Sequence, residues 1–251
     1  MLQVDVVKKG HLSEIFVSFQ GEGLYAGRRQ LFLRFSGCHM RCRYCDTPGS
    51  LERGTQFQVF HPTGECQQLR NPVSASEVLA HALPLLGHRH SPDGVAVTGG
   101  EPLLQSDFLA ELLADARWPR PRLLETSGTL PEKLGAVLPV VDVVSMDIKL
   151  PSNTGEPEYW EAHRHTLAAA RGKVYVKILV DDVTAREDVE RAAELVRREA
   201  PETPVFLQPI TAPSGAIAVA PAMLDRFFAV ARGCLDDVRV VPQMHRALGI
   251  R

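Results

Sequence analysis

The chain has 251 residues, of which 45% are hydrophobic and 23% are charged, and its formal net charge is -2. This composition is ordinary for a globular protein with a buried core. The charge does not indicate a nucleic-acid-binding protein, since such proteins usually carry a strongly basic surface. No apolar run approaches the roughly 18–20 residues of a membrane span, and the first residues lack the apolar core of a signal peptide. We therefore expect a soluble, cytoplasmic protein that binds neither membranes nor nucleic acid.

Strand-like and helical patterns alternate along the chain. In chain order, the predicted strands are residues 31–36, 94–98, 122–126, 141–149, 173–180, 204–208 and 238–241. The predicted helices are residues 76–86, 107–116, 131–138, 159–170, 187–200 and 222–231. This alternation favours a parallel sheet with crossover helices. We predict an α/β fold in a single domain over residues 1–251, a partial or modified (β/α)6-type TIM-like barrel, with a doubly wound open sheet as the alternative.

Two of the helices are preceded by a capping-box pattern. Ser74 with Glu77, and Thr184 with Glu187, place a hydroxyl and then a carboxylate three residues later. In a capping box these side chains bind backbone N–H groups that have no partner at a helix start. The patterns predict helix starts at both positions.

Residues 46–73 interrupt the alternation, because they contain no convincing long helix. Connections of this length within a domain are usually functional or mobile. We interpret this stretch as a loop with an insertion that covers or borders a site.

Polar residues gather where the predicted strands end. They follow six of the strands, at Cys38–Asp46, Thr98–Glu101, Thr126–Thr129, Asp147–Lys149, Gln208 and Gln243. Parallel α/β folds bring these carboxyl ends to one face, where ligands bind. The pattern predicts a binding site on that face.

Three of the five cysteines, Cys38, Cys42 and Cys45, form the spacing C-x3-C-x2-C. Cysteines of an intracellular protein stay reduced, so a tight group indicates metal binding or catalysis rather than disulfides. Three thiolates can hold three irons of a cubane cluster and leave the fourth iron open to an outside ligand. The spacing therefore favours an open iron–sulfur cluster.

Two closed sites are the alternatives to an open cluster. A zinc site would need His39 or a distant histidine as its fourth ligand, although zinc sites favour paired C-x2–4-C ligands. A closed electron-transfer cluster would need Cys66 or Cys234, and neither lies in a ferredoxin-like run.

The cysteine spacing closely resembles that of the radical S-adenosylmethionine (SAM) superfamily. There the open iron binds the amino and carboxylate groups of SAM, and an electron from the cluster releases a 5′-deoxyadenosyl radical. Residues 98–102, TGGEP, resemble the glycine–glutamate motif that meets the SAM amino group. The resemblance implies a barrel of the radical SAM kind and a [4Fe-4S] cluster on the three cysteines. It also implies SAM contacts from Tyr44, Cys45, Asp46, Gly99, Gly100, Glu101, Ser127, Lys149 and Gln208.

Two flanking segments resemble one family within this superfamily, the 7-carboxy-7-deazaguanine synthases. They are residues 14–23, EIFVSFQGEG, and the C-terminal VRVVPQMHRALGIR. The similarity extends from about Glu14 to the C-terminus, except for residues 51–72. It implies that 6-carboxy-5,6,7,8-tetrahydropterin loses hydrogen from C6, contracts its ring and releases ammonia, and that SAM is regenerated. No catalytic residue is expected beyond the cluster–SAM centre.

The same resemblance implies a substrate site and a magnesium site. Thr47 is the implied Mg²⁺ ligand, and Mg²⁺ prefers hard oxygen ligands with positions left for water and substrate. The C-terminal tail, residues 242–251, is expected near the substrate. The implied pterin contacts are Phe19, Gln20, Gly21, Glu22, Arg34, Thr98, His245 and Arg251.

The chemistry of three of these residues fits a carboxylated pterin. Arg34 lies inside the apolar strand LFLRFS, where a charge is costly unless it is paired. A substrate carboxylate is one possible partner, and an internal Asp or Glu is the other. Gln20 and Glu22 could pair with the guanine-like edge of the pterin, or they could fix the glycine turn between them.

Other functions and partners stay open at this point. A radical SAM activating enzyme for a glycyl-radical protein shares the cysteine and GGEP-like motifs, and a non-catalytic zinc or iron–sulfur protein is the rival from another class. The superfamily resemblance implies flavodoxin or ferredoxin as the reductant. The family resemblance implies a homodimer.

Overall fold

The computed structural model of the protein describes residues 7–87 and 91–251. Within these residues it contains twelve strands. Their bounds are β1 Lys9–Gly10, β2 Leu12–Phe19, β3 Arg29–Phe35, β4 Gln56–Phe60, β5 Cys66–Arg70, β6 Val73–Ser74, β7 Val95–Gly99, β8 Arg122–Thr126, β9 Val143–Ile148, β10 Val174–Val180, β11 Val205–Pro209 and β12 Val238–Val240.

Eight α-helices connect or follow these strands in the described part of the chain. They are α1 Ala75–Ala82, α2 Ser106–Leu113, α3 Pro131–Val137, α4 Pro151–Thr154, α5 Trp160–Ala169, α6 Arg186–Glu199, α7 Pro221–Arg232 and α8 Met244–Leu248. None of them has both the length and the apolar character needed to cross a bilayer.

Ten strands form one sheet in the order β12-β11-β10-β9-β8-β7-β3-β2-β4-β5. The run from β3 through β7 to β12 is parallel throughout. These are the seven strands that the sequence predicts, each within two residues of its predicted limits. The α/β class is confirmed, and the large parallel sheet is consistent with the predicted partial barrel.

The amino-terminal edge of the sheet was not predicted. Strand β2 pairs antiparallel with β3, β4 pairs parallel with β2, and β5 pairs antiparallel with β4. Much of residues 46–73 is therefore a hairpin that extends the sheet rather than a loose insertion. Its strand QFQVF alternates polar and apolar residues, and Phe57 and Val59 are buried in the core. That alternation was the available signal for a half-buried strand.

The two faces of the parallel strands have different surroundings. One face packs against the helices through the main core, with Leu33, Val97 and Ile178 among its members. On the opposite face, a small apolar cluster that includes Tyr175 and Phe206 lies towards the starts of the strands. Alternate residues of a strand share a face. On this face, the side chains two residues further along each strand are polar. Pairs of this kind are Ala96 and Thr98, Leu123 and Glu125, Tyr175 and Lys177, and Phe206 and Gln208.

One of the two capping boxes is confirmed. Ser74 caps α1, with its Oγ accepting from the Glu77 backbone and the Glu77 carboxylate accepting from the Ser74 backbone. The prediction for Thr184 is wrong, because α6 begins after Ala185 without a side-chain cap. The Thr184 hydroxyl instead accepts from the Asp181 backbone N–H at 2.8 Å and donates to the Asp181 carboxylate.

Candidate active site

A cavity of about 520 Å³ lies over the carboxyl ends of the parallel strands. Its wall combines the cysteine loop, the polar strand ends, the segment after β2 and the C-terminal tail. Every site residue predicted from the sequence lines this cavity except Glu101. The fold therefore brings together groups that are spread over more than 200 positions of the chain.

The three clustered cysteines form one part of the cavity wall and are partly buried. Burial raises the pKa of the Cys38 and Cys42 thiols. Cys66 and Cys234 do not line the cavity. Within the cavity, the chain thus offers three thiols and no fourth, as an open cluster requires.

The glycines of the TGGEP segment allow two loops to meet. Gly99 has a φ of +120°, and a Cβ on it would lie 2.1 Å from the Phe35 carbonyl oxygen. A Cβ on Gly100 would lie 2.3 Å from the Gly37 oxygen. Backbone hydrogen bonds from Gly100 to Phe35 and from Glu101 to Gly37 join the loops. The glycines thus hold this segment directly against the start of the cysteine loop.

The Glu101 side chain is fully buried beside the cavity and does not line it. Its carboxylate accepts from the Thr126 hydroxyl, from the Ser127 backbone and hydroxyl, and from the Leu103 backbone. In this structure Glu101 therefore positions Ser127. Its contact with the SAM amino group stays a prediction.

Several groups that line the cavity have the properties of ligand contacts. The Tyr44 hydroxyl and Gln208 Oε1 are buried and have no hydrogen-bond partner among the described residues. Burial raises the pKa of Tyr44. The Lys149 ammonium lies 5.5 Å from the centre of the Tyr44 ring. A ligand with polar groups and an aromatic base could satisfy these atoms, since buried polar groups are normally paired.

Arg34 has an internal partner, as one of the two sequence interpretations required. Its Nε donates to Glu14 Oε2 at 2.9 Å, from the neighbouring strand β2. Arg251 Nη1 lies 2.7 Å from the other oxygen of Glu14. Two guanidinium groups therefore share the one carboxylate of Glu14.

The amide of Gln20 is already engaged inside the protein. Its Nε2 donates to Gln30 Oε1 at 3.3 Å and to Glu125 Oε1 at 2.8 Å, and its Oε1 accepts from the Glu22 backbone. The Thr98 hydroxyl donates to the other oxygen of Glu125 at 2.8 Å. Burial raises the pKa of Glu125. Gln20 and Thr98 together hold this carboxylate in the cavity wall.

The tail closes one side of the cavity. The Met244 backbone donates to the Gly21 carbonyl at 2.9 Å, and a Cβ on Gly21 would lie 2.0 Å from His245 Nδ1. Gln243 Nε2 donates to both Glu22 and Asp46, at 2.9 Å each. The FQGEG segment and the tail are therefore in close contact.

Sequence comparison decides the family. The profile of the radical SAM superfamily matches residues 33–199. A 7-carboxy-7-deazaguanine synthase of Geobacter sulfurreducens is 36% identical, over 95% of this chain and 96% of that protein. Another, from Methanothermobacter thermautotrophicus, is 32% identical over 98% of this chain and 100% of that protein. The chain belongs to the 7-carboxy-7-deazaguanine synthase family. It is a radical SAM enzyme of the lyase class.

Comparison with solved structures supports the same fold. The crystal structure of QueE from Escherichia coli aligns with a TM-score of 0.58, covering 94% of this chain and 95% of that chain at 22% identity. A radical SAM methyltransferase from Sphaerobacter thermophilus aligns with a TM-score of 0.57 over 86% of this chain. The 7-carboxy-7-deazaguanine synthase fold is therefore shared across radical SAM enzymes of different activity.

The geometry gives no support to a zinc site in this synthase family member. Thiol ligands of one tetrahedral zinc lie about 4 Å apart, given Zn–S bonds of about 2.3 Å. In the described part of the chain, the one group of three ligand residues with atoms within 4.8 Å of one another is Glu22, Asp46 and His245. His39 Nε2 is instead hydrogen-bonded to the Thr129 hydroxyl at 2.8 Å.

Sequence reasoning missed two charged groups in the synthase cavity. Lys177 and Glu125 both line it, and both lie inside strands that are otherwise largely apolar. The signal was available, because a charge inside an apolar strand is costly unless it is paired. The same reasoning had singled out Arg34. The charges in KVYVKILV and RLLET carry the same signal.

Proposed function

We propose that the chain converts 6-carboxy-5,6,7,8-tetrahydropterin to 7-carboxy-7-deazaguanine with loss of ammonia, in a reaction that depends on Mg²⁺. One observation carries the proposal. A single cavity joins a wall of three thiols to an end that holds two arginines, two glutamates and a glutamine. This arrangement supports a radical-generating centre and a binding site for a carboxylated, amide-rich heterocycle within one cavity.

The residues present fit a [4Fe-4S] cluster and SAM. Cys38, Cys42 and Cys45 would hold the cluster. Gln208 Oε1 and the Tyr44 hydroxyl, which have no hydrogen-bond partner among the described residues, would contact SAM in the same cavity. When bound, these cofactors supply a 5′-deoxyadenosyl radical that removes hydrogen from the substrate. The remaining SAM contacts proposed here are Asp46, Gly99, Gly100, Glu101, Ser127 and Lys149.

The far end of the cavity suits the pterin. Arg34 uses its Nε for Glu14, and its two Nη groups have no hydrogen-bond partner among the described residues. A bidentate bond to the substrate carboxylate would satisfy them. Glu22 and Glu125 offer acceptors for the ring N–H groups. Phe19, Gln20, Gly21, Thr98, His245 and Arg251 complete the proposed contacts.

Magnesium is proposed at Thr47, which lines the cavity beside the last cysteine. Asp46 lies next to it, and its carboxylate is within 4.8 Å of ligand atoms on Glu22 and His245. These oxygens and a substrate carboxylate match the hard ligands of Mg²⁺. We further propose a flavodoxin or ferredoxin reductant, a homodimeric state and a cytoplasmic location.

A turnover assay tests the proposed reaction. Anaerobically reconstituted enzyme is incubated with SAM, reductant, Mg²⁺ and the carboxytetrahydropterin, and the deazapurine is measured by mass spectrometry. The expected product is 7-carboxy-7-deazaguanine, and its yield should fall when Mg²⁺ is chelated. Absence of the product under conditions that cleave SAM would reject the substrate and favour an activating enzyme. Stoichiometric zinc without sulfide would reject the radical enzyme altogether.

A further inference from the structure

Four charged side chains, of which Lys177 is buried and the other three are partly buried, form a row across the cavity. Lys149 Nζ lies 2.8 Å from Asp147 Oδ2, and Asp147 Oδ1 lies 3.0 Å from Lys177 Nζ. Lys177 Nζ lies 2.5 Å from Glu22 Oε2. The charges alternate in sign along the row. One end lies at the residues proposed for SAM, and the other end lies at those proposed for the pterin.

Backbone geometry fixes three of the four members. Asp147 and Lys149 are two residues apart and therefore point to the same side of β9 and its extension. Lys177 is the register partner of Asp147 on the adjacent strand β10. Glu22 comes from the turn after β2, so its carboxylate is held by side chains, namely Lys177 and Gln243. The position of Glu22 is the adjustable one.

The pairings within the row compete with one another. Burial alone would raise the pKa of Asp147, but Lys149 and Lys177 outweigh it and hold the pKa at about 2. Burial likewise opposes ionisation of Glu22, yet Lys177 lowers its pKa overall. In a site of low dielectric constant, weakening one of these pairs strengthens the next. A ligand charge at one end of the row therefore changes the strength of the ion pair at the other end.

We propose that the row from Lys149 through Asp147 and Lys177 to Glu22 makes SAM and pterin bind cooperatively, with Asp147 and Lys177 as positioning residues. This inference rests on the proposed function. A ligand carboxylate beside Lys149 draws its ammonium away from Asp147. Asp147 then attracts Lys177 more strongly, and an oxygen of Glu22 is released to accept a pterin N–H. Coupling between two sites is reciprocal, so each ligand raises the affinity for the other.

The test measures binding without turnover. Reconstituted enzyme without reductant is titrated with 6-carboxypterin, which is fluorescent, in the presence and absence of saturating SAM or S-adenosylhomocysteine. For the wild type, we expect either ligand to lower the Kd for 6-carboxypterin by about tenfold, within the usual range of coupling. 5′-Methylthioadenosine has no carboxylate, so it should lower the Kd for 6-carboxypterin by less than about twofold.

The variants separate charge coupling from structural support. Asp147→Asn keeps the shape but removes the charge, and it should reduce the SAM effect to less than about twofold. Lys177→Met should do the same, whereas Lys177→Arg should restore coupling. Asp237→Asn is the matched control, since Asp237 pairs with Arg239 outside the cavity. It should leave the SAM effect unchanged.

The outcomes distinguish this inference from the proposed function. A wild-type enzyme that fails to bind 6-carboxypterin contradicts the proposed substrate. A wild-type enzyme that binds it with the same Kd with and without SAM overturns the coupling alone, whatever the variants do. Wild-type coupling retained in both Asp147→Asn and Lys177→Met would show that the row does not carry it.

Discussion

Arg34 has the internal partner that one of its two sequence interpretations required. The charge in the strand LFLRFS requires a partner, and Glu14 on the adjacent strand provides it. Glu14 is also paired with Arg251, so one carboxylate serves two guanidinium groups. The internal pair therefore positions Arg34 and leaves charge available for a substrate carboxylate.

Replacing Arg34 should weaken substrate binding without affecting the cluster. Arg34→Ala removes the proposed bidentate partner, and we expect a loss of about 2–5 kcal/mol in 6-carboxypterin binding. Arg34→Lys should recover part of this loss, because it keeps the charge but not the planar fork. Fluorescence titration gives the affinity, and iron content serves as the control. An unchanged affinity in Arg34→Ala would remove Arg34 from the site.

The cysteines can be tested separately from the substrate. Cys42→Ala should abolish the cluster and all SAM cleavage, because two thiolates remain in the cavity. Cys66→Ala is the matched control, since Cys66 is exposed on β5 and lies outside the cavity. Iron, sulfide and 5′-deoxyadenosine are measured in both variants. SAM cleavage retained in Cys42→Ala would contradict the ligand assignment.

At the scale of elements, the β4–β5 hairpin is the main difference from the sequence prediction. Its inner side chains Phe57 and Val59 are buried, and β4 pairs with β2, which carries Glu14. Residues 51–72 therefore support the strand that positions Arg34. The sequence of residues 51–72 did not indicate this structural role.

The hairpin should contribute measurably to stability. Phe57→Ala removes a buried ring and should lower the free energy of unfolding by about 3–5 kcal/mol. Gln58→Ala, at the neighbouring exposed position, should change it by less than about 0.5 kcal/mol. Urea unfolding of both variants measures the difference. A negligible effect of Phe57→Ala would mean that the hairpin is peripheral to the core.

At the scale of the whole molecule, buried polar contacts connect the helices to the strand ends that form the site. His163 on α5 is completely buried, and its Nε2 is 3.2 Å from the Ser127 carbonyl oxygen. Burial lowers its pKa to about 4. Protonation of this ring therefore opposes the folded state of the whole protein.

Stability should consequently fall with acidification through the range of this histidine. The unfolded pKa is about 6.5, so the unfolded state binds more protons between about pH 6.5 and 4. Through His163, lowering the pH from 7.5 to 5 should reduce the free energy of unfolding by about 2 kcal/mol. Above pH 7.5 this residue should make no pH-dependent contribution. The measurement is the difference in urea unfolding between the wild type and His163→Gln at each pH. The exposed His165→Gln is the control, and a pH-independent difference for His163→Gln would contradict the expectation.

Much of this protein can be inferred from local patterns. The seven parallel strands follow from their apolar composition, and the start of α1 follows from Ser74 and Glu77. The cysteine spacing and TGGEP predict the cofactor end of the site. These features depend on residues that are close in the chain, so the sequence alone determines them.

Only the tertiary structure decides which distant groups become partners. The pairing of Lys177 with Asp147 depends on the register of β9 with β10, and that of Arg34 with Glu14 depends on an antiparallel strand at the edge. The Glu101 carboxylate turns to Ser127 because packing brings β8 beside its loop. These choices depend on long-range packing, in which buried charges and polar groups must all be satisfied together. No short segment of the chain contains that information.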